Sequence, residues 1–230
     1  MIANRPAAVV FDVNETLTDL SGLSSVFDDF GLGPMALSWW FAVVLRDGMA
    51  LAAAGGAASF PELAVTALHE LFEAHGRAVP EEAADRLLAG FGQLPLHPDV
   101  IPALELLREA QVPAFALTNG AAAPAARILG RAGARSLFAD VISVDVVGHW
   151  KPRPEPYTHA AQTVGVEPER LAMVAVHPWD LNGAASVGLL TGWVRRGQRS
   201  FPPVFTNPTV QAERLDELVA ALLELPAEAD

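Results

Sequence analysis

The sequence predicts an α/β fold, in which an open, doubly wound parallel sheet of the Rossmann-like kind carries an inserted helical subdomain. Short apolar runs alternate with amphipathic segments after residue 95, which is typical of strands connected by helices. The stretch before it shows helical patterns without a strand signal, and 230 residues suffice for a core plus an insertion. We expect residues 1–16 and 95–230 to form the core and residues 17–94 the insertion.

The composition excludes several classes of protein. Hydrophobic residues make up 51% and charged residues 18%, which excludes a disordered chain. The formal net charge is −12 and no basic stripe is visible, so we expect no nucleic-acid partner. The chain contains no cysteine, which excludes disulfide frameworks, thiolate zinc sites and cysteine nucleophiles.

The amino-terminal residues do not resemble a secretory signal. The apolar run that begins at Ala7 meets Asp12 almost at once. The most apolar stretch, Met49 to Ala58, is shorter than the roughly 20 residues that span a bilayer. We therefore expect a soluble cytoplasmic protein with no membrane partner.

The first predicted element is a buried strand, since residues 7–11 are all apolar and end at Asp12. A polar loop, Asn14–Thr16, follows it. Pro34 suits the first turn of a helix and Gly55-Gly56 ends that helix. The insertion contains four predicted helices, over residues 19–30, 34–54, 60–75 and 80–90.

The remaining elements alternate as a parallel sheet requires. Predicted helices cover residues 99–111, 122–133, 154–164, 180–188 and 215–225, and predicted strands cover 112–117, 171–176 and 189–194, with a further strand within 138–147.

Polar residues interrupt the apolar runs at four places, each at or after the end of a predicted strand or in the loop that follows one. Ligands of such sheets bind beyond the carboxyl ends of the strands, so these places form the candidate site. They are Asp12–Thr16, Thr118–Gly120, the loop around Lys151, and His177–Asp180.

Asp12 and Lys151 have a functional and a structural interpretation each. Asp12 is either a carboxylate nucleophile, which needs burial and a nearby cation, or a carboxylate that caps a turn. Lys151 lies among prolines that would aim its side chain, and it supplies that cation unless it is an exposed loop lysine.

The other polar residues also leave alternatives open. The Thr118-Asn119-Gly120 tripeptide suits either an anion site or an ordinary turn. Asp180 is a helix N-cap, a partner of Lys151 or a metal ligand. His177 is a general base, a halide or carboxylate contact, or a turn residue.

The other five histidines show no ligand spacing, so we expect no metal site built from them. Trp39-Trp40-Phe41 is an aromatic cluster on a predicted helix. Since neighbours on a helix point about 100° apart, one of the three lines a cavity between insertion and core. Arg46 is the nearest cation.

These residues resemble the four motifs of the haloacid dehalogenase superfamily, in order and with fitting spacing. Val9–Leu17 is similar to motif I, Leu117–Gly120 to motif II, Lys151-Pro152 to motif III and His177–Asp180 to motif IV. The helical insertion lies where this family places its cap, and the resemblance spans residues 7–195.

Within the superfamily the sequence looks like the (S)-2-haloacid dehalogenase branch. Phosphatases carry an aspartate two residues after the nucleophile, where this chain has Asn14. They also carry two acidic residues in motif IV for magnesium, whereas Val176 occupies the first such position here and only Asp180 remains. Both departures disfavour phosphoryl transfer.

The resemblance implies a metal-independent hydrolysis of short 2-haloalkanoic acids without any cofactor. Asp12 would displace halide and form an aspartyl ester, which water then cleaves. Lys151 would keep Asp12 anionic, Asp180 would orient Lys151, and Thr16 would hydrogen-bond Asp12 or position the water. His177 would activate that water or make a different contact.

The resemblance also implies how the substrate is held. Thr118 and the backbone N–H groups of Val13 and Asn14 would bind its carboxylate, while Asn119 and a cap residue would hold the halide. The family's cap arginine falls at Phe41 within Trp40-Phe41-Ala42, so an aromatic rim replaces a charge. The halide contact then rests on Asn119, a tryptophan N–H or Arg46.

Two other functions stay open from the sequence. One is a magnesium-dependent small-molecule phosphatase that uses Asp12, and the other is a non-catalytic binding protein on the same fold. The apolar faces of the Ala-rich insertion suit a homodimer.

Overall fold

The computed structural model describes residues 3–197 and 200–227 and confirms the predicted fold class. Its six strands are β1 Ala8–Asp12, β2 Ala114–Thr118, β3 Asp140–Ser143, β4 Leu171–Ala175, β5 Leu190–Val194 and β6 Val210–Ala212. They form one sheet in the order β3-β2-β1-β4-β5-β6, and every neighbouring pair is parallel.

Two findings in the sheet differ from the sequence prediction. The strand within 138–147 is limited to β3, because a 3₁₀ turn begins at Val144. The edge strand β6 was not predicted, since three residues are too few to show an alternating pattern.

β1 lies at the centre of the sheet between β2 and β4. Val9 and Phe11 belong to the apolar layer on one face, and Ala8 and Val10 belong to the layer on the other. All five residues of β1 are buried, as a strand covered on both faces requires. The carboxyl end of β1 therefore opens at the middle of one sheet edge, where Asp12 is its last residue.

Helices cover both faces of the sheet and continue the chain between strands. They are α5 Val100–Glu109, α6 Ala122–Arg131, α7 Pro154–Val164, α8 Pro178–Ser186 and α9 Leu215–Leu223.

Four further helices lie between β1 and α5, where the sequence predicts a helical insertion. They are α1 Ser24–Asp29, α2 Ala36–Ala53, α3 Phe60–Ala74 and α4 Ala83–Phe91. A 3₁₀ turn over Leu20–Leu23 precedes α1, because the Asp19 carboxylate accepts the Ser21 N–H and turns the chain. The boundaries at residues 17 and 94 remain a prediction.

α2 is long and apolar enough to cross a bilayer by length and composition, and within the described ranges it alone passes that test. Interior helices of globular proteins pass it too. One face of α2 is buried against the rest of the insertion, and Trp40 on that face donates its indole N–H to the Ala64 carbonyl of α3 over 2.8 Å.

Trp150 connects the insertion to the core. Its indole N–H donates to the Ala58 carbonyl over 3.1 Å, and its ring lies against Gly48 of α2. A Cβ at Gly48 would come within 2.3 Å of the Trp150 ring, so only glycine allows this close approach. Since Trp150 immediately precedes Lys151, the packing of α2 also positions the predicted site.

We expect the Gly48→Ala substitution to lower the free energy of unfolding by about 1–3 kcal/mol, because the new methyl group overpacks the contact with Trp150. Gly130→Ala is the matched control, since Gly130 also lies in a helix but faces open space. The control should be neutral or stabilising by up to about 1 kcal/mol. Urea denaturation measures both values, and equal effects would contradict the packing described here.

Candidate active site

An ion triad lies at the carboxyl end of the sheet. Lys151 Nζ donates to Asp12 Oδ1 over 2.8 Å and to Asp180 Oδ2 over 2.7 Å. Its third hydrogen bond goes to the Leu117 carbonyl over 3.1 Å. The ammonium group therefore uses all three of its protons, and the structure brings together three residues that the sequence predicts as catalytic.

Charge, rather than solvent, keeps Lys151 protonated. Lys151 and Asp180 are fully buried and Asp12 is 5% exposed. Burial alone would lower the pKa of Lys151, but the negative charges of Asp12 and Asp180 outweigh it and raise that pKa above its ordinary value of 10.5. The ammonium therefore stays charged at neutral pH.

Asp180 is held by a second donor. Tyr157 of α7 donates its hydroxyl hydrogen to Asp180 Oδ1 over 2.5 Å. Burial raises the pKa of Asp180, and the charge of Lys151 opposes that rise. Gly183 makes room for this contact, since a Cβ there would lie 2.7 Å from the Tyr157 hydroxyl oxygen.

Thr16 fixes the second oxygen of Asp12. Its hydroxyl donates to Asp12 Oδ2 over 2.6 Å and accepts the Val176 N–H over 3.0 Å. Since the Val176 N–H can only donate, the Thr16 proton must point to Asp12. Each oxygen of Asp12 thus accepts one hydrogen bond in the site and keeps a further lone pair for other partners.

The geometry also orients the Asn119 side chain. Asn119 Oδ1 accepts the backbone N–H of Lys151 over 2.9 Å, so the amide oxygen faces that loop. Asn119 also lines the cavity beside Asp12, and its NH₂ group remains available as a donor. Thr118 accepts the Gly120 N–H over 2.9 Å, which leaves its hydroxyl proton available to donate.

The cavity beside Asp12 is small and has an aromatic wall. Its volume is about 10 Å³, which is room for about one water molecule. It is lined by Asp12, Asn14, Phe41, Leu45, Phe60, Asn119, Trp150, His177 and Trp179. A larger cavity of about 530 Å³ shares Phe41, Leu45 and His177 with it and opens between α2 and the loop after β1.

His177 stands between the two cavities. Its ring stacks on Trp179 with centroids 5.1 Å apart and lies 6.2 Å from the Phe41 ring. His177 Nε2 is 3.9 Å from Asp12 Oδ2 and 3.5 Å from Glu15 Oε2.

A family model described as haloacid dehalogenase-like hydrolase matches residues 6–188. The chain belongs to this hydrolase family. It is 29% identical over 220 residues to (S)-2-haloacid dehalogenase 2 of Pseudomonas sp. strain CBS-3, which covers 95% of this chain and 93% of that protein. It is also 36% identical over 139 residues to a glyceraldehyde 3-phosphate phosphatase of Methanopyrus kandleri, which covers 59% of this chain and 60% of the phosphatase.

The fold is also similar to that of a solved dehalogenase structure. An L-2-haloacid dehalogenase from Xanthobacter autotrophicus, solved with chloropropionic acid covalently bound, matches this hydrolase with a TM-score of 0.86. The match covers 97% of this chain and 99% of that one, at 24% identity.

One of the three neighbouring aromatic residues on α2 lines the cavity, as the sequence predicts, and that residue is Phe41. Trp40, which was also expected in the substrate site, does not line the cavity, because it is fully buried and its N–H is bound to Ala64. Arg46 is a surface residue whose guanidinium binds Asp47 and Glu70, so it is not a halide contact.

Asp180 is not the N-cap of its helix. His177 holds that position in α8, and Asp180 lies in the first turn with its side chain directed at Lys151.

Tyr157, Trp150 and Glu15 belong to the site although the sequence assigned no role to any of them. Glu15 lies within the predicted segment Asp12–Thr16, and Trp150 lies in the loop around Lys151. Tyr157 is the only tyrosine of the chain and Lys151 is the only lysine, and both contact Asp180. The places of Trp150 and Glu15 depend on the packing of α2 and on the backbone of the loop after β1.

The single tyrosine makes the buried network directly observable. Burial and the charge of Asp180 raise the pKa of Tyr157 well above its ordinary value of 10.0, because both disfavour the phenolate. We expect the ultraviolet signal of tyrosinate to be absent from the folded protein at pH 10 and to appear only at higher pH or on unfolding.

The same titration in guanidinium chloride is the control and should give a midpoint near pH 10. A reversible midpoint near pH 10 in the folded protein would contradict the buried contact with Asp180.

Proposed function

We propose that this protein is a hydrolytic dehalogenase that converts short 2-haloalkanoic acids to 2-hydroxy acids through an ester on Asp12. The observation that carries this proposal is the buried Asp12 carboxylate, which Lys151 holds at 2.8 Å in a place with room for little solvent. A carboxylate is a weak nucleophile in water, and the removal of its hydration strengthens it.

In the first step an Asp12 oxygen attacks the carbon that bears the halogen, from the side opposite to the halogen. A C–O bond forms, the C–halogen bond breaks, and the halide leaves with the electron pair. Lys151 and Thr16 hold the two oxygens of Asp12, so the carboxylate is oriented before the substrate arrives.

The site contains hydrogen-bond donors for the substrate carboxylate and for the departing halide. We assign its carboxylate to the Thr118 hydroxyl and to the backbone N–H groups of Val13 and Asn14. Asn119 lines the cavity, and we assign its NH₂ group as the donor for the departing halide. Phe41 supplies an apolar wall for the carbon chain.

In the second step water attacks the Asp12 carbonyl carbon and breaks the ester bond. The 2-hydroxy acid leaves, one water proton is released to solvent, and the carboxylate is restored. Asp180 accepts a hydrogen bond from Lys151, and Tyr157 donates one to Asp180, so the two residues keep Lys151 in place through both steps.

The comparisons support this activity. The relative from Pseudomonas sp. strain CBS-3 is named a haloacid dehalogenase, and the Xanthobacter enzyme was solved with chloropropionic acid covalently bound. The donor set of the site also suits a reaction without a metal ion. Both oxygens of Asp180 are used by Lys151 and Tyr157, and over residues 3–197 and 200–227 no three His, Asp or Glu side chains are grouped to hold a metal.

The second candidate is a magnesium-dependent phosphatase, which the identity to the Methanopyrus phosphatase favours. It predicts phosphate release from a small phosphate ester that magnesium supports and a chelator abolishes. We expect no such release, because Asn14 cannot donate or accept a proton as an acid–base group and Asp180 is fully buried against the Lys151 ammonium.

We further propose a cytoplasmic protein whose ligand is the small haloacid alone, without nucleic acid or membrane partners. The exposed Met35 and Trp39 at the start of α2 support a homodimer formed through the insertion.

The proposal predicts halide release from (S)-2-chloropropionate in the presence of EDTA. Asp12→Asn should lower the rate by about a thousand-fold or more, because it removes the nucleophile. Asp28→Asn is the matched control, since Asp28 is an exposed aspartate of α1 and its loss should leave the rate unchanged. Halide electrodes measure both rates.

A single turnover in oxygen-18 water completes the test. The label should enter the Asp12 carboxylate, because water attacks the carbon of that group. Label found only in the 2-hydroxy acid, or halide release that survives in Asp12→Asn, would refute the proposed function.

A further inference from the structure

His177 has an unused polar atom beside the reacting carboxylate. The residue is 8% exposed, and its Nε2 is buried without a hydrogen-bond partner in the described part of the chain. His177 and Asp12 both line the small cavity, and His177 Nε2 lies 3.9 Å from Asp12 Oδ2. The separation is too long for a direct hydrogen bond, and it places Nε2 next to the room for about one water molecule.

The ring cannot easily turn away from this place. It stacks on Trp179 at an interplanar angle of 18° and faces Phe41 on α2. His177 is also the N-cap of α8, so its backbone is fixed by the start of that helix. Nε2 is therefore directed at the cavity by packing on more than one side.

Glu15 lies against His177 and has an unfavourable backbone conformation. Its φ is +61°, in the left-handed region that disfavours any residue with a Cβ. The neighbouring elements retain this conformation, since His97 Nε2 bonds to the Glu15 carbonyl oxygen over 3.1 Å. Its carboxylate lies 3.5 Å from His177 Nε2, in the larger cavity.

We propose that His177 is the general base of ester hydrolysis. Glu15 is the positioning residue that orients His177 and stabilises its protonated form. The inference rests on the proposed function, because it concerns the second step on Asp12.

Atoms and electrons balance in this step. A water oxygen forms a bond to the Asp12 carbonyl carbon while one water proton passes to His177 Nε2. The tetrahedral species then collapses, its bond to the substrate oxygen breaks, and the imidazolium returns the proton to that oxygen. The immediate products are the 2-hydroxy acid and the Asp12 carboxylic acid, which loses the second water proton to solvent and becomes the carboxylate again, with no change of oxidation state.

The charges favour His177 at the step where a base is needed. Ester formation neutralises Asp12 and removes one of the two carboxylates beside Nε2. Glu15 is the carboxylate that remains, so it stabilises the imidazolium that forms when water is deprotonated. The other charged or titratable groups around the larger cavity are Asp19, His97 and Arg196.

The test separates the two chemical steps. Enzyme in excess over (S)-2-chloropropionate is quenched at intervals, and intact-mass spectrometry measures the ester on Asp12. His177→Gln and His177→Ala should form the ester but hydrolyse it about 100-fold more slowly, and imidazole should restore part of the rate to His177→Ala. His69→Asn, at an exposed histidine of α3, is the matched control.

Glu15 is tested by two substitutions. Glu15→Gln keeps the shape and Glu15→Gly suits the positive φ, so the Tm of Glu15→Gly should be equal to or higher than that of the wild type. Both should slow hydrolysis of the ester and lower the pH at which the hydrolysis rate reaches half its maximum, because the negative charge beside His177 is lost. A structural role for Glu15 would predict a lower Tm and an unchanged pH profile.

The outcomes are distinguishable. Ester that accumulates in the His177 variants supports the inference. Ester that the His177 variants clear as fast as the wild type overturns it but leaves the proposed function intact. Absence of any ester on Asp12, in the wild type and the variants alike, overturns the proposed function itself.

Discussion

One buried ammonium group shared by two carboxylates determines the character of the site. Lys151 has no exposed surface, and its three hydrogen bonds end on Asp12, Asp180 and the Leu117 carbonyl. Taking such ions out of water costs several kcal/mol each, and only their close pairing offsets that cost. Loss of Lys151 would leave two buried carboxylates without a counter-charge, at an expense of about 3–5 kcal/mol. The carboxylate that reacts is therefore part of the interaction that holds the site together.

The fold supplies the members of this triad from separate elements. Asp12 ends β1, Asp180 lies in the first turn of α8, and Lys151 comes from a loop that Trp150 presses against α2. Parallel strands end at one edge of the sheet, so residues far apart in sequence meet there without any long connection. The insertion then covers the edge, and the space left beside Asp12 is small. The burial, the orientation and the charge pairing of Asp12 thus all result from the way the strand ends lie beneath the insertion.

Much of the arrangement was predictable from the sequence. Apolar runs that end in polar residues mark the strand ends, so the sequence places Asp12, Lys151 and Asp180 in the candidate site, and the resemblance to the family implies their roles. The side of α2 that faces the cavity could not be predicted. Trp40 and Phe41 are neighbours of similar character, and only the docking of α2 on α3 decides that Trp40 is buried and Phe41 lines the cavity.

The contacts that Tyr157 and Glu15 make in the site could not be predicted from the sequence either, because they depend on the tertiary fold. Tyr157 reaches Asp180 because α7 and α8 lie side by side at Gly183, a relation that no local pattern reports. Glu15 faces His177 because a loop residue adopts a positive φ, which sequence patterns associate with glycine.

The pKa of Lys151 tests the central claim most directly. Since it is the only lysine, lysine labelled with carbon-13 gives one Cε signal, and its chemical shift can be followed as the pH is raised. The two carboxylates predict a midpoint above the ordinary value of 10.5, and Asp180→Asn should lower it. A midpoint at or below 10.5 in the folded protein, unchanged by Asp180→Asn, would contradict the buried ion triad and the account built on it.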